Sequence, residues 1–188
     1  MPPAAAASSP HPAPRRLRYA PLEGLLRSLD IHERSAEMKE IVRLSGGTDY
    51  VPSEIPVENF AEVLHFLART RFASWPSSEG LFRVGACLFE GYRKTLLGQI
   101  QLAALHLLGP DRLMRKAPDF VGRSSNFGVR TVEQLGPNHY RMDFRGVPLP
   151  GDYYNGILHA ALRATGVSEP QTRWEQTGPE DMTFDVRW

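Results

Sequence analysis

Cysteine is nearly missing from this chain: Cys87 is the single one in 188 residues. No intramolecular disulfide can form, and cysteine-rich structural zinc sites are excluded. That fits a reducing setting, and a cytoplasmic protein is expected. An excess of charge of one sign is missing too. Formal net charge is +1, whereas nucleic-acid binding normally needs a basic field, so no nucleic-acid partner is expected. The one dense basic run, Arg15, Arg16 and Arg18, reads as a solvated lead-in to the fold, with a contact to an anionic partner as the alternative. No apolar run approaches the roughly 18 residues of a membrane-spanning helix. A phosphate-binding loop is absent as well: Leu44–Asp49, "LSGGTD", has neither the lysine nor the spacing of one.

What is present is a globular composition. Apolar residues make up 41% and charged residues 23%, enough for one domain with its own core. Met1–Pro14 is rich in proline, alanine and serine and lacks the positive and apolar regions of a secretion signal. Residues 1–16 are expected to be a disordered tail and 17–188 the domain.

Leu17–Ala20 reads as a short strand or arm. Pro21 opens a helix over Leu22–Leu29. A second helix spans Glu33–Leu44 and stops at Gly46 and Gly47. Tyr50–Pro56 is expected as loop. A third helix, Val57–Thr70, carries an apolar stripe of Phe60, Val63, Leu64 and Leu67. The longest helical signal runs over Ser78–Leu108. Arg83, Glu90, Lys94 and Gln101 recur on one edge, and Leu81, Val84, Leu88, Tyr92, Leu96, Ile100 and Leu102 spread over the other side, which predicts one continuous central helix. Gly85, Gly91 and Gly98 interrupt it at about 1 kcal/mol each relative to alanine. They serve close packing, a kink, or space for a ligand.

Gly109 and Pro110 are expected to end that helix, with a short helix over Asp111–Lys116. The period then changes. Asn126–Leu135 and His139–Arg145 read as strands joined at Gly136–Asn138, the second alternating Tyr140, Met142 and Phe144 against Arg141, Asp143 and Arg145. Tyr153–Thr165 returns to helix. Gln171–Thr177 and Met182–Trp188 make a second hairpin. This order predicts an α+β fold, with N-terminal helices and one long glycine-interrupted central helix packed on a four-stranded antiparallel sheet of two hairpins.

The run "LFRVGACLFEGYRKTLLGQIQLAALHLLGP", Leu81 to Pro110, resembles a large myxobacterial paralogous family of unknown function. So do "YYNGILHAALRATGVSEP", Tyr153 to Pro170, and the closing "TFDVRW". The best-matched features are Gly91 and Tyr92 with Thr95, Leu108–Pro110, and Tyr154 with Gly156. The C-terminal helix and hairpin also resemble the wider superfamily of 4-vinyl-reductase, haem–nitric-oxide-binding and TRAPP vesicle-tethering domains. That resemblance implies a shared α+β fold with an apolar pocket between helices and sheet, holding a small apolar molecule, a haem or an acyl chain.

The candidate ligand-binding residues are Leu88, Tyr92, His106, Tyr140, Phe144, Tyr153 and Trp174. Their aromatic rings with polar tips suit a ligand that is apolar with one polar end. His106 follows Leu88 by 18 residues, a whole number of turns in an unbroken helix, so it is expected to share the apolar side of Leu88. The stretch Leu102–Phe120 is similar to the haem–nitric-oxide segment, in which a helical histidine ligates haem ahead of a Pro-x-Phe element, here Pro118 and Phe120. The haem relatives anchor propionates through Tyr-x-Ser-x-Arg. The stretch at Tyr140 places Met142 and Phe144 in the serine and arginine positions, with Arg145 one position out of register.

Cys87 reads as a buried, inert thiol. The cysteine-rich C-terminal pattern of the vinyl-reductase relatives is missing. Asp49, Glu54, Glu58 and Glu62 read as a solvated face, and Ser124 and Ser125 with His139 lack a third orienting group. No catalytic residue is assigned, and no metal site unless His106 holds haem. The expectation is therefore a non-catalytic sensory or regulatory domain for an apolar small molecule, with no cofactor. The alternatives are a haem gas sensor through His106 and a protein-interaction scaffold that forms homodimers through helix faces.

Overall fold

The computed structural model describes residues 13–94 and 96–188, the side chains of 96–108 excepted. The chain enters through β1 (Arg16–Arg18), which pairs antiparallel with β2 (Glu54–Pro56), Leu17 facing Ile55. The segment expected as loop thus closes on a strand, because Ile55 and Leu17 bury together and the flanking backbone pairs. Residues 124–126 hold the other side of β1. The Arg18 amide donates to the Ser124 carbonyl at 2.9 Å and the Asn126 amide to the Arg16 carbonyl at 3.2 Å. The Asn126 side chain accepts from the Arg16 amide at 2.8 Å and donates to the Pro14 carbonyl at 3.1 Å. Residues 1–12 of the expected tail lie outside the described residues.

The basic run is not merely solvated. Arg15 reaches both carboxylate oxygens of Glu180 at 2.7 Å and Glu58 at 3.4 Å. Both bonds to Glu180 come from Nη1, and Nη2 faces Glu58.

Three helices follow: α1 (Ala20–Ser28), α2 (Ala36–Leu44) and α3 (Val57–Arg71). Helix α2 starts later than expected because Ser35 caps it, its hydroxyl accepting from the Met38 amide at 3.0 Å. The stripe of α3 packs inward, with Phe60, Val63, Leu64 and Leu67 wholly buried.

The single long central helix does not exist. Helix α4 (Ser77–Arg93) ends with Lys94 as its cap, and α5 (Leu96–Gly122) begins afresh. The shared helical register that would align His106 with Leu88 is lost at that break. Gly109 does end the run of helix before it, as expected. It kinks α5 with φ 74° and ψ 174°, a backbone state open essentially only to glycine. Pro110 then occupies the first turn of a second arm, where no amide is needed. The expected short helix over Asp111–Lys116 belongs to this arm.

The sheet consists of β3 (Val129–Gly136), β4 (His139–Arg145), β5 (Gln171–Gly178) and β6 (Asp181–Arg187), with α6 (Gly151–Ala164) between the hairpins. All neighbours are antiparallel, in the order β3-β4-β6-β5. The fold is α+β, as its sequence pattern predicts. Tyr140, Met142 and Phe144 on β4 and Met182, Phe184 and Val186 on β6 form the buried face. On the other face Glu133, Arg141, Asp185 and Arg173 stand opposite one another in turn, alternating charge across the four strands.

Helix α4 passes between α1 and α6, and glycines set how close it comes. A Cβ on Gly91 would lie 1.7 Å from the Gly24 carbonyl oxygen, and one on Gly85 would lie 1.9 Å from that of Tyr153. A Cβ on Gly156 would lie 1.9 Å from the Phe82 carbonyl oxygen. Close packing is therefore the role of Gly85 and Gly91; Gly98 lies in the stretch whose side chains are not described.

Candidate ligand pocket

Where α1, α4, α6 and the second arm of α5 converge, they leave a cavity of about 300 Å³. Small residues open it from one side, since α1 contributes Ala20 and Gly24. Larger apolar groups wall the rest: Leu88 and Phe89 from α4, Leu113 and Phe120 from α5, and Leu158 from α6. Leu17 of β1 closes one end, and Arg123, Ser124 and Ser125 supply polar groups. The size is at the lower end of ordinary small-molecule sites, which run from about 300 to 1,000 Å³.

Three of the candidate residues, Leu88, Tyr92 and Tyr153, meet in this lining. Three others lie elsewhere. The Tyr140 hydroxyl donates to Asp111 at 2.7 Å, and its ring stacks on Trp188 at 5.6 Å. Phe144 packs between Tyr154 at 5.1 Å and Phe184 at 4.9 Å. Trp174 lies on Gly151, where a Cβ would come within 2.3 Å of the ring, and its indole donates to Asp152 at 2.8 Å. His106 has its side chain outside the described residues. The cavity therefore opens among helices and not between the central helix and the hairpins, because interlocked aromatic rings fill the helix–sheet space. Sequence reasoning missed the contribution of α1 and of Leu113 and Ala117, whose spacing looks like that of any packed helix.

Titratable groups near the cavity favour their neutral forms. Burial pushes the Tyr153 hydroxyl well above its ordinary range. Burial also raises Tyr154, against the opposing pull of Arg130. The Cys87 thiol is raised chiefly by burial, with a hydrogen bond to Ser28 working the other way. Neutral phenols donate hydrogen bonds and stay where they are put, and a thiol held above its usual range is a poor nucleophile. His139, set aside as a partner for Ser124 and Ser125, binds Asp185 at 2.8 Å on the sheet. Among the described residues no group of three or more His, Cys, Asp or Glu is arranged to hold a metal ion. None of the described lining residues is a histidine or cysteine. With Met142 and Phe144 wholly buried in the core, the described residues do not fit a haem.

A family model described as "Protein of unknown function (DUF2378)" matches residues 20–188. No curated protein matches the chain. In three dimensions it is similar to a mutant of an H-NOX protein from K. algicida in the unliganded Fe(II) state. The TM-score is 0.62 at 11% identity, over 91% of this chain and 96% of the other. A mutant H-NOX domain from Shewanella oneidensis in the Fe(II)CO state gives a TM-score of 0.62 at 12% identity, over 91% and 98%. An H-NOX protein from S. oneidensis in the Fe(II)NO state gives 0.58 at 13%, over 89% and 97%. At such identities the likeness is one of fold.

Proposed function

This chain belongs to the DUF2378 family, and we propose that it is a non-catalytic sensory or regulatory domain that binds an apolar small molecule in the cytoplasm. The carrying observation is the cavity of about 300 Å³ walled by leucines and aromatic rings from three helices, with the small residues of α1 on one side. Burying such surface drives binding at about 25 cal/mol per Å² before ordering costs. Neutral tyrosine hydroxyls at the wall favour recognition over catalysis. Native mass spectrometry of freshly purified protein tests the reading. The expected result is an added small-molecule mass that survives gentle desolvation, or uptake of an apolar probe by the free chain. A chain that carries nothing and takes up no apolar probe would sink it.

The fold likeness favours a second reading, a haem gas sensor with His106 as axial ligand. A neutral imidazole is a proper iron ligand, and the similar structures include iron in carbon monoxide-bound and nitric oxide-bound states. Since the described lining does not fit the group, this reading rests on the fold and on His106 alone. An absorption spectrum after expression with haem supply decides it: no Soret band, or one unchanged by His106→Ala, ends it. The remaining reading is a scaffold that binds a protein partner or pairs with itself through helix faces. Strictly monomeric behaviour at high concentration counts against the homodimer.

A further inference from the structure

We infer that β3 is a dimerisation edge: two copies of this chain pair β3 against β3, antiparallel, about a two-fold axis at Val132. The inference is independent of what the cavity holds. In the order β3-β4-β6-β5, the strands β3 and β5 are the two edges of the sheet. An edge strand presents unpaired N–H and C=O groups that another strand can satisfy. The two edges are not guarded alike. The exposed residues of β5 are Gln171, Arg173, Glu175, Gln176 and Thr177, all of them polar, and charged side chains on an edge discourage pairing. β3 instead exposes Val129 at 64% and Leu135 at 40%, two of the four large apolar side chains that stand exposed among the described residues.

Symmetry selects one register. Val129, Thr131, Glu133 and Leu135 follow one another at period two on the outer face, the face that Glu133 shares with Arg141. The ladder to β4 shifts register between Gln134 and Gly136, so the strand available for pairing runs over Val129–Leu135. In an antiparallel pair, directly opposite residues share a face. With the axis at Val132, Val129 of one copy stands opposite Leu135 of the other, Thr131 opposite Glu133, and Arg130 opposite Gln134. The exposed apolar groups thus cover each other twice, once at each end of the shared ladder, and no like charges stand opposite each other. Moving the axis by one residue loses this. An axis at Thr131 sets Val129 against Glu133, and an axis at Glu133 sets two carboxylates face to face.

The same pairing closes on itself, joining the two four-stranded sheets into one. Joining β3 to β5 instead would leave a free edge at each end and add copies without limit.

Sedimentation velocity of the full chain over a range of concentrations tests this, with Val129→Lys, Leu135→Glu and the two combined. Wild type is expected to pass from one chain to two as concentration rises. Each single substitution sets a charge against an apolar side chain at both ends of the interface, and the dimer should weaken about tenfold or more. Together they set opposite charges across the axis, and most of that loss should be recovered. Within one chain the two positions are about 20 Å apart along the strand, too far to form this pair internally. A wild type that stays a single chain at every concentration overturns the inference and leaves the apolar-ligand reading standing. A dimer that neither substitution weakens is held elsewhere, through helix faces for example, and overturns it too. So does a double variant that stays dissociated, since Val129 and Leu135 then do not face each other, and so does a mass that climbs past two chains. Both positions are exposed, so the variants ask nothing of the core.

Discussion

A methyl group is the smallest change that reports how the helices of this protein meet. At Gly85 an added Cβ would fall 1.9 Å from the Tyr153 carbonyl oxygen, a fixed backbone atom that no rotamer can move. Gly85→Ala should therefore cost about 3 kcal/mol, at the upper end for overpacking. Gly122, also helical, has nothing within 4 Å of its would-be Cβ. Gly122→Ala should be neutral or stabilising by up to about 1 kcal/mol. Urea midpoints for the two variants make the comparison. An equal response at both positions would mean that the helices tolerate separation. The contrast rests on neighbours distant in sequence, and so the run of glycines in α4 left close packing, a kink and ligand space all open.

At the scale of elements, the seam between α4 and α6 contains a titratable group. His159 lies against the edge of Phe82 at 5.4 Å. Its pKa is lowered by burial first, and by the nearby Arg163 second. A histidine in the unfolded chain takes up a proton near pH 6.5, whereas the folded chain resists it to lower pH. Stability from this residue is thus fully present above about pH 6.5 and is lost as pH falls from there through the folded value. His159→Gln should flatten that part of a urea-midpoint profile between about pH 7 and 5; an unchanged profile would assign the dependence to other groups. Elements of this kind differ in how well the sequence announces them. β4 and β6 were legible because Tyr140, Met142 and Phe144, and Met182, Phe184 and Val186, alternate against polar neighbours along a half-buried sheet. β2 was not, since three residues ending in Pro56 carry no period and form a strand only through Leu17. The break after Arg93 was illegible for another reason. Apolar spacing continues through Leu96 and Ile100 with no proline or glycine at the junction, and spacing alone does not record where one helix ends and the next begins. In the cavity, Leu88, Tyr92 and Tyr153 were reached through their apolar or amphipathic character.

For the whole molecule, the cavity couples cargo to stability. Its walls come from β1 and four helices, so a ligand that fits it meets all of them only in the folded chain. Such a ligand at about 100 times its Kd should add about 2.7 kcal/mol, or about 5–10 °C in Tm for a domain of this size. A thermal scan with and without an apolar probe that the chain takes up reads it. Binding by calorimetry with no rise in Tm would mean that the unfolded chain binds the ligand as well.

The grip of Arg15 on Glu180 joins positions 165 residues apart. A growing polypeptide cannot close that latch until its final hairpin has left the ribosome. At ordinary synthesis rates the wait is roughly ten to thirty seconds. Through that interval β1, which carries the Leu17 wall of the cavity, depends on its backbone pairing, the burial of Leu17 against Ile55 and the side chains of Glu58 and Asn126. A chain that ends before Glu180 would lose this anchor together with β6, an inner strand of the sheet.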